Sequence, residues 1–188
     1  MPIYYTVDRS NRLKAGAVVN PDTDFSNCRF FPVEGHFDRI DLERLTQQLF
    51  PLGLTEHGKT YLLNEYLIVQ TAQGPAPVVP HIPMIELIFE LVRRVFFPDK
   101  PSRLACIFAW EKYDQALEFQ KQHGSGTIYR IESESFIRGD MNLLLLGGAG
   151  ISAIQFALKY WNEGKSPQPR WEYLLIPPVK VIERIVMS

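Results

Sequence analysis

Near its C-terminus the chain carries the sequence Arg170-Trp171-Glu172-Tyr173-Leu174-Leu175-Ile176-Pro177-Pro178-Val179-Lys180-Val181. The proline pair separates two apolar runs, and this pattern predicts two β-strands that form a hairpin. Side chains alternate between the two faces of a strand, so Glu172 shares its face with Leu174 and Ile176, and the odd-numbered residues lie on the other face. A carboxylate among aliphatic side chains costs stability unless it is paired or takes part in chemistry. Glu172 is therefore the first candidate for a functional acid.

The composition is that of one ordinary globular domain. The chain has 188 residues, of which 46% are hydrophobic and 22% charged, and this length is enough for a sizeable core. The formal net charge of −1 gives no overall attraction to nucleic acid or to an anionic membrane. Two cysteines form neither a disulfide framework nor a metal signature, and the four histidines have no metal-ligand spacing. We therefore expect no metal.

One uncharged segment has to be tested as a membrane span. Met141 to Leu158 contains no charged residue, but glycine and polar residues interrupt it. We interpret it as a short buried strand, a glycine turn and a helix from Ile151 to about Asn162. The first residues, Met1 to Ser10, lack the apolar core of a signal peptide, so we expect a cytoplasmic site of action, with the delivery route left open.

The order of predicted elements indicates an α+β fold. Strands and helices alternate without a regular βαβ repeat, which favours a mainly antiparallel sheet. The prolines of Gly74 to Pro83 predict a rigid connector. The predicted strands are Pro2–Val7, Leu104–Trp110, Thr127–Ile131 and the two strands of the C-terminal hairpin. The predicted helices are Asn11–Ala15, Asp41–Phe50, Glu86–Phe97, Asp114–Gln122 and the helix that begins at Ile151.

A second motif resembles a phosphate-binding loop. Gly53 to Thr60 matches the pattern GxxxxGK[ST], with Lys59 and Thr60 in the positions that contact phosphate and magnesium. Such a loop follows a buried strand, whereas the preceding residues have the leucine spacing of an amphipathic helix. Glu56, inside the loop, would also repel phosphate. We interpret the segment as a turn between helices, and a nucleotide hydrolase that uses Lys59 and Thr60 remains an alternative.

Three separated pieces of the chain form a more consistent pattern. They are Tyr4–Arg9, Pro101–Trp110 and Trp171–Leu175. In this order they resemble the ADP-ribosyltransferase superfamily, the fold of the cholera- and diphtheria-type toxins. The family begins with a strand that carries a Tyr-His or Tyr-Arg pair, followed by a short helix and a glycine. Here Tyr4, Tyr5 and Gly16 stand in these places.

The second and third family motifs also have counterparts. The second is a strand entered by a serine or an arginine, which Ser102 and Arg103 match. The third is a glutamate at the head of a late strand, after a mobile loop. Glu172 matches it, and the turn-forming residues Glu163 to Pro169 supply the loop. The resemblance covers most of the chain, except that the segment from about 22 to 100 has no family counterpart.

The resemblance implies a fold, an activity and a substrate. We expect a single domain over residues 1–188 with an ADP-ribosyltransferase-like split β-sheet core, which consists of two packed, mainly antiparallel sheets with flanking helices. Residues of about 22–100 would be a helical elaboration of this core. The implied function is that of an NAD-dependent mono-ADP-ribosyltransferase of bacterial type, a toxin or effector domain that binds NAD in a cleft between the sheets.

The resemblance also assigns roles to residues. Cleavage of the nicotinamide–ribose bond passes through an oxocarbenium-like state, and a carboxylate bound to the ribose hydroxyl stabilises that charge. Glu172 takes this catalytic role. The pyrophosphate needs a forked cation, which Arg9 or Arg103 supplies, and the nicotinamide ring needs an aromatic partner. The NAD-binding residues implied are Tyr5, Arg9, Ser102, Arg103 and Phe108, with Trp110 as a further aromatic candidate.

The loop before Glu172 bears on the acceptor. Transferases that modify arginine carry Glu or Gln where this chain has Arg170, so the resemblance argues against arginine as the acceptor. Gln168 and Arg170 are instead expected to meet the target. The near-zero net charge slightly favours a protein acceptor over nucleic acid. An immunity or antitoxin protein is a further expected partner.

Four other functions stay open at this stage. Water in place of a macromolecular nucleophile would give NAD glycohydrolase activity. The same fold also transfers a phosphate from RNA onto NAD. The phosphate-loop hydrolase predicts magnesium-dependent nucleotide binding that Lys59→Ala abolishes. A non-catalytic interaction module with the same fold predicts no stabilisation by NAD.

Overall fold

The computed structural model describes residues 1–32, 35–64, 67–72, 74–124 and 126–186. The fold is α+β, as expected, with about 36% helix and 26% strand and with small antiparallel sheets. The strands are β1 Ile3–Asp8, β2 Val18–Val19, β3 Leu67–Thr71, β4 Gly74–Val78, β5 Ile107–Ala109, β6 Thr127–Glu132, β7 Phe136–Asp140, β8 Trp171–Leu175 and β9 Val179–Arg184. The α-helices are α1 Arg39–Leu49, α2 Glu56–Lys59, α3 His81–Phe96, α4 Tyr113–His123 and α5 Gly150–Trp161. Within these residues no helix has the length and apolarity to cross a membrane.

Two sheets meet edge to edge. One has the strand order β1-β6-β9-β2 and the other has the order β5-β8-β7, and all strand pairs in them are antiparallel. Tyr5 on β1 and Trp110, which directly follows β5, exchange both backbone hydrogen bonds, each 2.8 Å long. This pair brings the first strand of the chain beside the sheet that holds Glu172.

The predicted C-terminal hairpin is wrong. Both of its strands exist, but they pair with other strands and belong to different sheets. β8 lies between β5 and β7, whereas β9 lies between β6 and β2. A tight hairpin needs a positive φ in its turn, and proline is fixed at a φ near −65°, so Pro177 and Pro178 favour a crossing between sheets.

The predicted alternation along β8 is confirmed. Leu174 packs with α3 and α5 side chains, among them Phe89 and Trp161, and the Trp161 indole donates a 2.8 Å hydrogen bond to the carbonyl of Phe89. Tyr173 and Leu175 face the opposite core, which β1, β6 and β9 help to build. Since both faces of β8 are covered, Glu172 lies in a central strand and is buried.

Two predictions of local structure are wrong, the helix at residues 11–15 and the proline-rich connector. A side-chain hydrogen bond in the first case, and strand pairing in the second, outweighs the local sequence preference. Residues 11–15 form no helix, since the Asp8 carboxylate accepts hydrogen bonds from the backbone N–H groups of Ser10 (3.0 Å) and Leu13 (2.7 Å). The proline-rich connector is instead strand β4, paired with β3 in a separate hairpin, and proline is compatible with such an edge strand. The segment of about 22–100 therefore contains a hairpin as well as α1, α2 and α3.

Strand and helix boundaries also differ near the site. Arg103–Ala105 is a 3₁₀ turn, and strand β5 covers only Ile107–Ala109 of the predicted strand. The short strand predicted to begin at Met141 is instead a 3₁₀ turn, Met141–Leu143, and the strand that was not predicted is β7, just before it. β7 was not predicted because its charged residues interrupt a short apolar pattern.

Gly139 on β7 is opposite Glu172 on β8. A Cβ atom at Gly139 would overlap the ring of Tyr160. We expect Gly139→Ala to lower the free energy of unfolding by about 1–3 kcal/mol, as overpacking does in cores. Urea denaturation would measure it, with Gly148→Ala as the control, because a Cβ there meets only open space. Equal stability of the two variants would contradict this packing.

Candidate functional site

A cluster of charged side chains is buried between β8, α3 and α5. It consists of Glu86 on α3, Arg103 on the 3₁₀ turn, Tyr160 on α5 and Glu172 on β8, and is called the buried charge cluster below. The exposed fraction of these four side chains is small, 2% for both Arg103 and Glu172. Charges removed from water to this extent are stable only when they are paired, so the contacts of Arg103 decide the geometry.

Arg103 is the centre of the cluster. Its Nε and Nη2 donate to the two carboxylate oxygens of Glu86, each at 2.9 Å, which is a bidentate pair. Its Nη1 donates to the Tyr160 hydroxyl and to Glu172 Oε1. Burial opposes the charge on Arg103, but Glu172 and Glu86 outweigh it and raise the pKa of the guanidinium. The arginine is therefore a fixed cation between two carboxylates.

Glu172 is held through one oxygen. Oε1 accepts the hydrogen bonds of Arg103 and of the Tyr160 hydroxyl, the latter at 2.7 Å. Within the described ranges Oε2 accepts no hydrogen bond. Burial and the neighbouring Glu172 raise the pKa of Tyr160, so its hydroxyl keeps its proton and remains a donor. One carboxylate oxygen thus orients the side chain, and the other makes no hydrogen bond in the part of the chain that the structure describes.

Glu86 connects the cluster to a histidine. His57 Nε2 lies 3.3 Å from Glu86 Oε1, although the two atoms are not aligned as a hydrogen bond. Burial would raise the pKa of Glu86, but Arg103 and His57 outweigh it and hold that pKa well below its usual value. Glu86 is therefore an anion at neutral pH.

An aromatic group lies at the rim of the cluster. The His57 ring lies 3.8 Å from the Phe108 ring and 4.5 Å from the Tyr61 ring, measured between centroids. The Arg103 guanidinium lies 4.7 Å from the centroid of the same Phe108 ring. Both His57 and Phe108 are partly exposed. An aromatic surface therefore leads from solvent to the buried charge cluster.

The predicted NAD-binding residues do not all gather at one point. Arg103 and Phe108 lie with Glu172, as just described. Ser102 donates instead to Glu90 Oε2 at 2.8 Å, and Glu90 lies one helical turn after Glu86 on α3. Tyr5 packs edge-on against Tyr113 of α4, at 5.9 Å between ring centroids.

The remaining candidates, Trp110 and Arg9, lie outside the buried charge cluster. Trp110 packs on Phe119 of α4, at 4.4 Å between centroids. Arg9 is exposed, and its Nη1 lies 3.4 Å from the Tyr61 hydroxyl, so this cation is at the aromatic rim. Arg9 is therefore an exposed cation beside the Tyr61 ring.

The loop before β8 is fastened to β7. The Asp140 carboxylate accepts hydrogen bonds from the backbone N–H groups of Ser166 (2.6 Å), Arg170 (2.9 Å) and Asn142 (3.0 Å). Burial opposes these donors, but together they lower the pKa of Asp140. Asp140 thereby fixes the point at which the chain enters β8.

The two residues expected to meet the target lie on this loop. Arg170 donates through Nη2 to the side chain of Gln122 at 2.7 Å, and Gln168 is exposed. The Gln168 carbonyl accepts a 2.6 Å hydrogen bond from Asn142. Gln168 therefore presents its side chain to solvent on a supported backbone.

The segment that resembles a phosphate loop has a different environment. Lys59 is buried, and its Nζ lies 2.5 Å from Asp22 Oδ1. Thr60 begins a π-helical turn, Thr60–Asn64, and helix α1 rather than a strand precedes the motif. A small polar cleft of about 140 Å³ adjoins Lys59, with Asp22, Asp24 and other polar residues in its lining. This geometry favours the interpretation as a connecting turn.

The described residues were compared with the side-chain groups that hold metal ions in proteins. Within the described ranges, no three His, Cys, Asp or Glu side chains are grouped to hold an ion.

Three residues in or beside the site were not predicted from the sequence, namely Glu86, Tyr160 and His57. Glu86 had a signal, since it stands on the apolar side of a helix, where an unpaired carboxylate is costly.

The family comparison covers almost the whole chain. A family model described as "Protein of unknown function (DUF2441)" matches residues 4–187. The chain belongs to this family. No curated protein matches it significantly. For this DUF2441 chain, function has to be argued from the geometry of the site.

Removal of Arg103 tests the cluster. Arg103→Met leaves two buried carboxylates without their cation, so we expect a loss of about 3–5 kcal/mol in the free energy of unfolding at pH 7. The loss should shrink at acidic pH, where the carboxylates accept protons. Chemical denaturation at several pH values measures both effects. A neutral or stabilising outcome at pH 7 would show that the ion pairs do not support the fold.

Acid sensitivity follows from the carboxylates of α3. The pKa values of Glu86 and Glu90 are lower in the folded chain than their usual 4.5. Their contribution to stability is therefore complete above about pH 4.5 and is lost as the pH falls towards their folded-state pKa values. We expect the urea midpoint to fall steadily below that pH, and to fall less steeply in Glu90→Gln. A midpoint independent of pH in this range would contradict the prediction.

Proposed function

We propose that the chain is an NAD-dependent mono-ADP-ribosyltransferase with Glu172 as its catalytic acid, built on an ADP-ribosyltransferase-like core. The observation that supports the proposal most directly is the position of Glu172 and the hydrogen bonding of its carboxylate. Glu172 stands near the head of a central strand and is held by Arg103 and Tyr160 through Oε1, whereas Oε2 makes no hydrogen bond within the described ranges. Few structural ion pairs leave one oxygen of a buried carboxylate unused.

The arrangement of strands supports the same proposal. The three sequence pieces of the resemblance lie on neighbouring strands, β1 beside β5 and β5 beside β8. Tyr5 bridges Trp110, and the antiparallel register of β5 and β8 brings Trp110 level with Glu172. The first, second and third motifs thus form one row across the strands, although they are far apart in sequence.

The site chemistry suits cleavage of the nicotinamide–ribose bond. As this bond breaks, its electron pair leaves with nicotinamide, and positive charge develops on the ribose. Glu172 Oε2 would accept a hydrogen bond from a ribose hydroxyl and stabilise that charge. Because Arg103 and Tyr160 fix the carboxylate beforehand, little reorganisation is needed in the transition state.

The surrounding residues supply binding contacts. The rings of Phe108 and Tyr61 offer an aromatic surface for nicotinamide. Of the two arginines considered for the pyrophosphate, Arg103 is occupied by Glu86 and Glu172, whereas Arg9 is exposed. Arg9 is therefore the better pyrophosphate ligand in this proposal.

The acceptor belongs to the same proposal. The exposed side chain of Gln168 and the position of Arg170 suit contact with a macromolecule beside Glu172. The net charge of −1 favours a protein target over nucleic acid, in keeping with a toxin or effector that acts in the cytoplasm and is controlled by an immunity protein.

The test compares two buried glutamates. Nicotinamide release from NAD, and transfer of labelled ADP-ribose to lysate macromolecules, would be measured for wild type, Glu172→Gln and Glu90→Gln. Glu90 is the matched control, since it is 2% exposed and paired with Arg93 and Arg94, but lies outside the cluster. We expect both variants to lose stability, and only Glu172→Gln to lose nicotinamide release, by about 10²-fold or more.

Two results would reject the proposal. Folded wild type that releases no nicotinamide would favour a non-catalytic module. Equal activity of Glu172→Gln and wild type would remove Glu172 from the chemistry. The label, if transferred, identifies the acceptor class.

A further inference from the structure

His57 is held rigidly beside the proposed active site. It lies on α2, and its ring is placed between the rings of Phe108 and Tyr61. Its side chain is 22% exposed, whereas His36, His81 and His123 are exposed residues at the surface. His57 is thus the one histidine of the described residues whose ring is largely enclosed and still reaches solvent.

The two nitrogens of His57 have different surroundings. Nε2 is buried and lies 3.3 Å from Glu86 Oε1. Nδ1 makes no hydrogen bond within the part of the chain that the structure describes. Although the contact of Nε2 with Glu86 is not an aligned hydrogen bond, the negative charge of the carboxylate favours the proton on the nearer nitrogen, which leaves the other nitrogen as a base. Glu86 therefore prepares Nδ1 to accept a proton.

His57 and Glu172 flank the same small region. Arg103 donates to Glu86, which faces His57, and also to Glu172. Phe108, which the His57 ring contacts, is opposite Leu174 on β8, two residues from Glu172 on the same face. One guanidinium thus binds Glu172 at one end and the carboxylate beside His57 at the other, and Phe108 contacts both the guanidinium and the His57 ring.

We infer that His57 is the general base that activates the acceptor nucleophile. This inference rests on the proposed function and extends it. The nucleophile's oxygen or nitrogen forms a bond to the ribose carbon, the bond from that carbon to nicotinamide breaks, and nicotinamide leaves as a neutral molecule with the electron pair. The proton of the nucleophile passes to Nδ1 of His57. Glu172 stabilises the charge on the ribose, and Glu86 stabilises the imidazolium.

The nucleophile itself provides the test. Water must lose a proton during attack, whereas the azide anion has none to lose. NAD would be incubated with wild type and His57→Gln, in water alone and with added azide, and ADP-ribose and its azide adduct would be separated by chromatography. We expect His57→Gln to form ADP-ribose about 10²-fold more slowly and to form the azide adduct at a rate close to that of wild type.

Three controls separate the roles. His36→Gln changes an exposed histidine and should form both products like wild type. Glu172→Gln should lose both products, because it acts on the ribose charge that both nucleophiles require. His57→Asn repeats the test with a smaller amide in case the glutamine variant is unstable, and thermal unfolding confirms that each variant is folded.

The outcomes are distinct. Selective loss of hydrolysis, with azide addition retained, supports the base. Equal loss of both products in folded His57→Gln and His57→Asn would make His57 a structural residue and overturn the inference, as would unchanged hydrolysis. Wild type that forms neither product and releases no nicotinamide with lysate present would overturn the proposed function and the inference together, whereas the other results leave the role of Glu172 standing.

Discussion

The guanidinium of Arg103 is the interaction on which the rest of the structure depends. It joins α3, the turn before β5, α5 and β8, through Glu86, Tyr160 and Glu172. A buried charge without its partner is far more costly than a missing apolar contact, so these four elements have one arrangement in which all the charges are satisfied. The cluster therefore sets the geometry that the proposed chemistry uses.

Sequence patterns were informative where the structure is local. The alternation of β8 placed Glu172 on the correct face, and apolar spacing located α1, α3, α4 and α5. Partners in a sheet are not local, and the proline pair was misread as a hairpin turn for this reason. Around Asp8 the failure had a different cause, since one carboxylate captured the backbone N–H groups that a helix would have used.

The site was partly visible in the sequence. Glu172, Arg103 and Phe108 were singled out by motif position, and they lie together. Glu86 and Tyr160 were missed because each stands in a helix whose apolar face accounts for most of its residues. A carboxylate on such a face is the signal to look for. His57 was missed because it lies within a stretch that matches another motif, and a histidine inside a glycine-rich pattern attracts no separate notice.

The last two strands of the fold are central strands. β8 lies between β5 and β7, and β9 lies between β6 and β2, so each sheet is completed by residues near the end of the sequence. A nascent chain on the ribosome can form its helices as they emerge, but the sheet of β5, β8 and β7 cannot close before Leu175 has emerged, and the other sheet cannot close before Arg184 has emerged. Before these points the apolar side chains that pack against β8 and β9 in the finished fold are exposed to solvent. Glu172 reaches Arg103 only when β8 joins its sheet, so the cluster cannot exist in a nascent chain that has been synthesised only as far as β7.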